Sequence, residues 1–362
     1  MSNNTDSIIQ QWVRPEISSL SAYHVTDPAD CIKLDAMENP YGWPDEMVSD
    51  WQQLLSSARL NRYPDPGAEA LVHIIRTAFA IPEDMGLLLG NGSDEIIQML
   101  MMTIAGSGRC VLAPEPAFVM YEMVSRFTGT EFIGIPLQDD FSLNLPAMLT
   151  SIEQHQPAII FLAYPNNPTG NLFQRDEVEQ IIKASPGLVI LDEAYAAFAS
   201  DSFMQDLEQY NNLLVMRTVS KMGLAGLRLG YLAGPKDWIR EINKVRMPYN
   251  INILTQITVE FALRNIDVLT EQTRELTRQR SLLASELQSL PEITVYPSEA
   301  NFILFRTSAG QADHIHQALQ KQHVLIKNLS PTGGALADCL RVTVSTSEEN
   351  MQFIDALKSC IN

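Results

Sequence analysis

Seven strand-like apolar runs, at 86–89, 109–113, 131–135, 158–163, 188–191, 213–218 and 228–233, alternate with amphipathic stretches such as 94–105, 118–128 and 175–185. This alternation restricts the first two thirds of the chain to a mostly parallel sheet with helices on both faces. Beyond residue 249 the pattern changes. A long polar-studded helix is expected over 253–290, followed by strands at 301–306 and 340–345 around a helix near 312–321, a smaller α+β unit. The first 45 residues contain no strong periodic element and read as an arm that docks elsewhere. The expected organisation is therefore an arm, 1–43, joining the small domain, a large domain over 44–249 and a small C-terminal domain over 250–362.

With 362 residues, 46% of them hydrophobic and 19% charged, the chain can bury a large core without a disulfide or metal staple. Cys31, Cys110, Cys339 and Cys360 lie far apart with no CxxC pairing, which argues against a disulfide framework or a zinc site and fits a reducing compartment. The formal charge of −18 repels nucleic-acid backbones and anionic lipid, so neither partner is expected. Any anionic ligand must then be held by local cations and helix termini. The start MSNNTDSIIQQWVRPE has no basic region leading into an apolar one, and no apolar run approaches the ~18 residues of a membrane span. A cytoplasmic location is the resulting expectation.

The residues that suggest chemistry cluster at the expected carboxyl ends of strands, where open α/β sheets place ligands. GNGSDE at 90–95 precedes an apolar helix, and its backbone N–H groups could receive a phosphate; Ser93 as a plain N-cap is the bland alternative. PNNPTG at 165–170 ends the strand AIIFLA and projects Asn167 above the sheet edge, or is a plain turn. DEAY at 192–195 ends a buried strand in a carboxylate, which needs a positive partner such as a protonated heterocycle nitrogen. In TVSKMGLAGLR, strand alternation puts Thr218 and Ser220 on one side, Lys221 at the strand end and Arg228 seven residues on. That pattern suits a Schiff-base lysine beside a phosphate, although most lysines are merely solvated. Arg341, inside the apolar strand LRVTVST, points to a bidentate anion contact or a structural ion pair.

In this order, RPEISSLSAYHV, LDAMENPY, LNRYPDPG, GNGSDE, PNNPTG, DEAY, SKMGLAGLRLGY and LRVTVST resemble the fold-type I pyridoxal-phosphate-dependent aminotransferases over nearly the whole chain. Within them the chain is most similar to the histidinol-phosphate aminotransferases. The resemblance implies a large domain with a mostly parallel seven-stranded sheet plus a smaller α+β domain, and pyridoxal 5′-phosphate as cofactor. It implies that Lys221 forms the Schiff base and moves the proton, that Asp192 pairs with the ring nitrogen, and that Asn167 and Tyr195 donate to the ring oxygen. Phe118 falls where the family places a stacking aromatic, often Tyr. Gly92, Ser93, Asp94, Thr218, Ser220 and Arg228 would surround the cofactor phosphate, with Tyr63 reaching it from the other subunit of a homodimer. Tyr23, Asn39, Asn167, Lys327 and Arg341 match substrate positions, Lys327 standing where many members carry Arg. The implied reaction moves an amino group between glutamate and imidazole-acetol phosphate. An aromatic amino-acid aminotransferase and a threonine-phosphate decarboxylase share much of the pattern. A ligand-sensing regulator would need a DNA-binding module, which is not expected from this sequence, and a dinucleotide oxidoreductase lacks GxGxxG after the first strand.

Overall fold

Successive residues of three central strands divide between two apolar clusters, as strands covered on both faces require. In β5 (Ile159–Ala163), β6 (Leu188–Asp192) and β7 (Leu213–Thr218), the side chains Ile160, Leu162, Val189, Leu191 and Val215 enter one cluster. Ile159, Phe161, Leu188, Ile190, Leu214 and Met216 enter the other. The computed structural model that gives these positions describes residues 2–20, 22, 30–104, 106 and 108–361.

The remaining strands of this sheet are β2 (Met85–Gly90), β3 (Cys110–Glu115), β4 (Glu131–Pro136) and β8 (Gly230–Pro235), in the order β2-β8-β7-β6-β5-β3-β4. Only β8 runs against its neighbours, so the sheet is seven-stranded and mostly parallel, as expected from the sequence. Ala163 and Met216 flank Asp192 in register, which brings the carboxyl ends of β5, β6 and β7 to one edge.

A second, five-stranded sheet has the order β1-β11-β12-β10-β9. It combines β1 (Ile32–Leu34) with β9 (Thr294–Val295), β10 (Phe302–Arg306), β11 (Val324–Asn328) and β12 (Cys339–Thr343). The two strands β9 and β11 carry too little periodicity to stand out in the sequence. β1 pairs in parallel with β11 and ties the N-terminal region to the C-terminal third.

Three expectations are corrected. The long helix is two helices, Ile253–Arg264 and Ile266–Gln288. Asn265 leaves helical geometry at φ −109°, ψ 33° between them, and its Nδ2 donates to the Phe261 carbonyl at 3.0 Å, a local bond that competes with helix continuation. The N-terminal region also holds a helix, Ser2–Trp12, whose Ile8, Ile9 and Trp12 remain exposed. Ser220 is displaced too, since β7 ends at Thr218 and Ser220–Met222 forms a 3-10 turn.

Just beyond Asp192, Glu193 is buried and fully satisfied. It accepts from Arg217 Nε (2.9 Å) and Nη2 (2.7 Å), from Ser202 Oγ (2.8 Å) and from the Phe203 N–H (2.7 Å). The second acid of DEAY therefore pins β6 to β7 and faces away from chemistry. Removing one member of a buried pair strands the other charge, so Glu193→Ala should lower unfolding free energy by about 3–5 kcal/mol. Urea denaturation checks this value.

Candidate active site

A cavity of about 120 Å³ opens at the carboxyl edge of the large sheet. Ser93, Asp94, Phe118, Asn167, Asp192, Tyr195, Thr218, Ser220, Lys221 and Arg228 line it, so residues from six separate segments of the sequence meet there. A larger cavity, about 690 Å³, shares Met37, Phe118 and Asn167 with the first and adds Lys327 and Arg341. Lys327 and Arg341 are cross-strand partners on β11 and β12, which places two cations side by side at one end.

The phosphate-like end is built by close backbone approach. Gly92 has φ +84°, and a Cβ there would lie 2.6 Å from Arg228 Nη2. A Cβ on Gly230 would meet the Ser93 backbone nitrogen at 2.7 Å. Gly230 is thus needed for the first turn of the helix Ser93–Ile104 to sit against β8, and Gly92 for its positive φ and to leave the Arg228 guanidinium in place. Arg228, itself at φ 49°, pairs with Asp94 at 3.1 Å. The Thr218 hydroxyl lies 2.8 Å from Ser220 Oγ and 2.9 Å from the Leu229 carbonyl oxygen. A helix N-terminus, an arginine and two hydroxyls form the donor set that a phosphate monoester takes.

The opposite requirement, an acid for a cationic nitrogen, is met by Asp192. It is buried, with Oδ2 accepting from the Tyr121 hydroxyl (2.8 Å) and Oδ1 from the Ala194 N–H (3.1 Å). Burial pushes its carboxyl up to about 6, against the pull of those two donors. Burial, reinforced by Arg341, holds the Lys221 ammonium down to about 8. An amine with that value is partly neutral near pH 7 and is a competent nucleophile. Lys221 Nζ donates to the Ala36 carbonyl (3.2 Å) and sits 5.8 Å from the Tyr195 ring centroid.

Tyr195, Asn167 and Arg341 form a chain. Asn167 Nδ2 donates to Tyr195 Oη (3.1 Å), and Asn167 Oδ1 accepts from Arg341 Nη1 (2.6 Å). Arg341 Nη2 also donates to the Asp35 carbonyl (3.2 Å). Burial raises the Tyr195 phenol, and Arg341 counters part of that rise.

The segment after β1 contributes differently from the sequence expectation. Met37 lines both cavities, and the carbonyls of Asp35 and Ala36 meet Arg341 and Lys221. Asn39 lines neither cavity: its Nδ2 turns to Gln272 (3.1 Å) and its Oδ1 caps the Tyr41 N–H (2.9 Å). Short polar side chains in an Asn-Pro turn satisfy local backbone first, which explains the difference. Tyr63 also lies away from the cavity of its own chain, 81% exposed and stacked on Tyr249. Tyr23 lies outside the described residues. Tyr121, which sequence reasoning missed, follows Phe118 by three residues, the spacing of one helix face; that spacing was the available signal, and it reads as ordinary core. Among the described residues no cluster of His, Cys, Asp or Glu could hold a metal ion, and no helix is long and apolar enough to cross a membrane.

A partly neutral lysine, a buried carboxylate and a set of anion donors around one narrow cavity fit a transferase site of fold type I. The family model for aminotransferase class I and II matches residues 29–357, and the chain belongs to that family. It is 57% identical to the "Histidinol-phosphate aminotransferase 2" of Nitrosococcus oceani, covering 98% of this chain and 99% of that one. It is 49% identical to the histidinol-phosphate aminotransferase of Chromobacterium violaceum over 97% and 98% of the two chains. Among solved structures, the histidinol-phosphate aminotransferase of Sinorhizobium meliloti in complex with pyridoxal-5′-phosphate superposes with a TM-score of 0.86 at 22% identity, covering 97% of each chain.

In cofactor-free protein, Asp192 keeps its proton up to about pH 6, while the unfolded chain releases it near the ordinary 3.8. The native state binds more protons between these values, so Asp192 makes stability fall as pH rises from about 4 to about 6. The loss is on the order of 3 kcal/mol. Urea midpoints of wild type and Asp192→Asn, both cofactor-free, should therefore diverge across this window, the variant being the more stable at pH 8.

Proposed function

We propose that this chain is a histidinol-phosphate aminotransferase that uses pyridoxal 5′-phosphate to exchange an amino group between glutamate and imidazole-acetol phosphate. The products are 2-oxoglutarate and histidinol phosphate, or the reverse. The observation that carries this reading is 57% identity over nearly the full length to a relative of that name. The charge layout of the two cavities agrees with it.

When bound, the cofactor supplies an electron sink for the carbon that gains or loses the amino group. The chain's residues supply the rest. Lys221 would hold the cofactor through its neutral amine, and its Nζ would carry the proton to and from the reacting carbon. Asp192 receives the ring N–H and holds that nitrogen cationic. Asn167 Nδ2 and the Tyr195 hydroxyl donate toward the ring oxygen, and Phe118 covers the ring. The N-terminus at Gly92, Ser93 and Asp94, with Thr218, Ser220 and Arg228, anchors the cofactor phosphate. Arg341 and Lys327 receive the anionic end of each substrate, the carboxylate of glutamate or the phosphate of histidinol phosphate. Lys327 acts there as a point charge, and Arg341 supplies the planar fork.

The active unit in this reading is a homodimer of two-domain subunits, the arm 1–43 joining the small domain 250–362 and facing the large domain 44–249. Tyr63 reaches the phosphate site of the neighbouring subunit. Its support is the exposed apolar set of Leu60, Tyr63, Met247 and Leu254, with the Tyr63–Tyr249 stack at 4.5 Å. A protein that scatters light at twice the chain mass is expected, and a fully active monomer would overturn the dimer.

Adding pyridoxal phosphate to purified protein should give a visible band that Lys221→Ala lacks, with borohydride trapping the label on Lys221. L-histidinol phosphate should bleach the band at far lower concentration than L-phenylalanine. Bleaching chiefly by phenylalanine would move the activity to aromatic amino acids. The Lys221→Ala variant should lose roughly 10²- to 10⁴-fold or more in kcat.

A further inference from the structure

In the proposed reading Asp192 faces the cofactor ring, yet burial works against its ionised form. The group that opposes burial from outside the acid's own strand is Tyr121. Its hydroxyl lies 2.8 Å from Asp192 Oδ2, and its ring is wholly buried. The ring is stacked on Phe161 of β5 at 4.5 Å and 5°. It also meets the edge of Phe118, which lines the cavity, at 5.7 Å and 86°. These contacts pack the ring beside β6, and the hydroxyl donates its proton to the carboxylate. The phenol is itself pushed well above its ordinary value by burial and by Asp192, so it stays a donor at every working pH. The other groups that act on Asp192 differ in kind: the Ala194 N–H binds Oδ1, and Asp94 and Glu193 are like charges that favour protonation.

We propose that Tyr121 is a positioning residue for the reaction: its hydrogen bond orients Asp192 and stabilises the carboxylate, so that the proton shared with the cofactor's ring nitrogen stays on the nitrogen. The inference rests on the cofactor reading given above. A proton between a carboxylate and a pyridine nitrogen has two positions of the same total charge: both groups neutral, or the nitrogen positive and the oxygen negative. A donor to Oδ2 favours the position that leaves that oxygen negative. Without the donor the proton moves toward Asp192, the ring becomes neutral, and its capacity to accept electrons falls.

The test is Tyr121→Phe, which keeps the stacked ring and removes one oxygen. In cofactor-free protein, the Asp192 side-chain carboxyl followed by carbon NMR should titrate about one to two pH units higher in the variant than in wild type. In protein loaded with cofactor labelled with ¹⁵N in the ring, the wild-type resonance should stand at the protonated position at pH 7.5 and the variant's should move toward the unprotonated one. In the same variant kcat should fall about tenfold with KM little changed. Phe161→Leu loosens the aromatic stack while keeping the hydroxyl; it should lower the melting temperature and leave the Asp192 titration in place. A Tyr121→Phe protein that keeps the wild-type titration and resonance overturns the proposal. A wild-type protein that takes up no cofactor, or shows an unprotonated ring nitrogen, overturns the reading beneath it, while the cofactor-free titration still reports whether Tyr121 acts on Asp192.

Discussion

A carboxylate placed out of reach of water at the end of a central parallel strand is the constraint around which this structure is arranged. Asp192 lies in register with Ala163 and Met216, so β5, β6 and β7 must end together for it to face the cavity. The helix Met120–Thr128, which carries Tyr121, must then pack against the same face of the sheet to deliver a donor. Glu193 and Arg217 fix the neighbouring strands from the other side. The buried acid is costly to the empty fold, and its location is understandable only as a partner for positive charge.

Electrostatics divide sharply between the whole molecule and the site. The chain carries a net −18, yet Arg228, Lys221, Arg341 and Lys327 line the two joined cavities. Burial depresses the lysine most, and Arg341 and Arg228 add to it by disfavouring a further positive charge nearby. The same grouping that attracts anions therefore prepares the amine for attack.

Much of this was legible from residue order alone. Continuous apolar runs identify the seven strands of the large sheet, because parallel strands covered on both faces leave no room for polar alternation. The residues that line the smaller cavity were also legible as a group, because Asp192, Asn167 and Lys221 stand at or just beyond the end of a strand and Arg228 just before the start of the next. Other features had no such signature. β11 owes its place to pairing with β1 and β12 rather than to its own pattern. The break at Asn265 depends on one side-chain hydrogen bond within an otherwise helical run. Asn39 satisfies Gln272 and its own turn, a preference decided by a helix more than 200 positions away in the chain. Tyr121 looks like core because it is core, and its hydroxyl acquires meaning only when β6 is beside it.

Gly92 and Gly230 illustrate a different kind of dependence. Each keeps a Cβ out of a gap that another group already fills, an arginine in one case and a backbone nitrogen in the other. Alanine scanning, which treats loss of atoms as the perturbation, reverses its meaning at such places: the alanine adds matter, and one added carbon is the lesion. The phosphate cradle is thus defined in part by two positions that contribute no side chain at all.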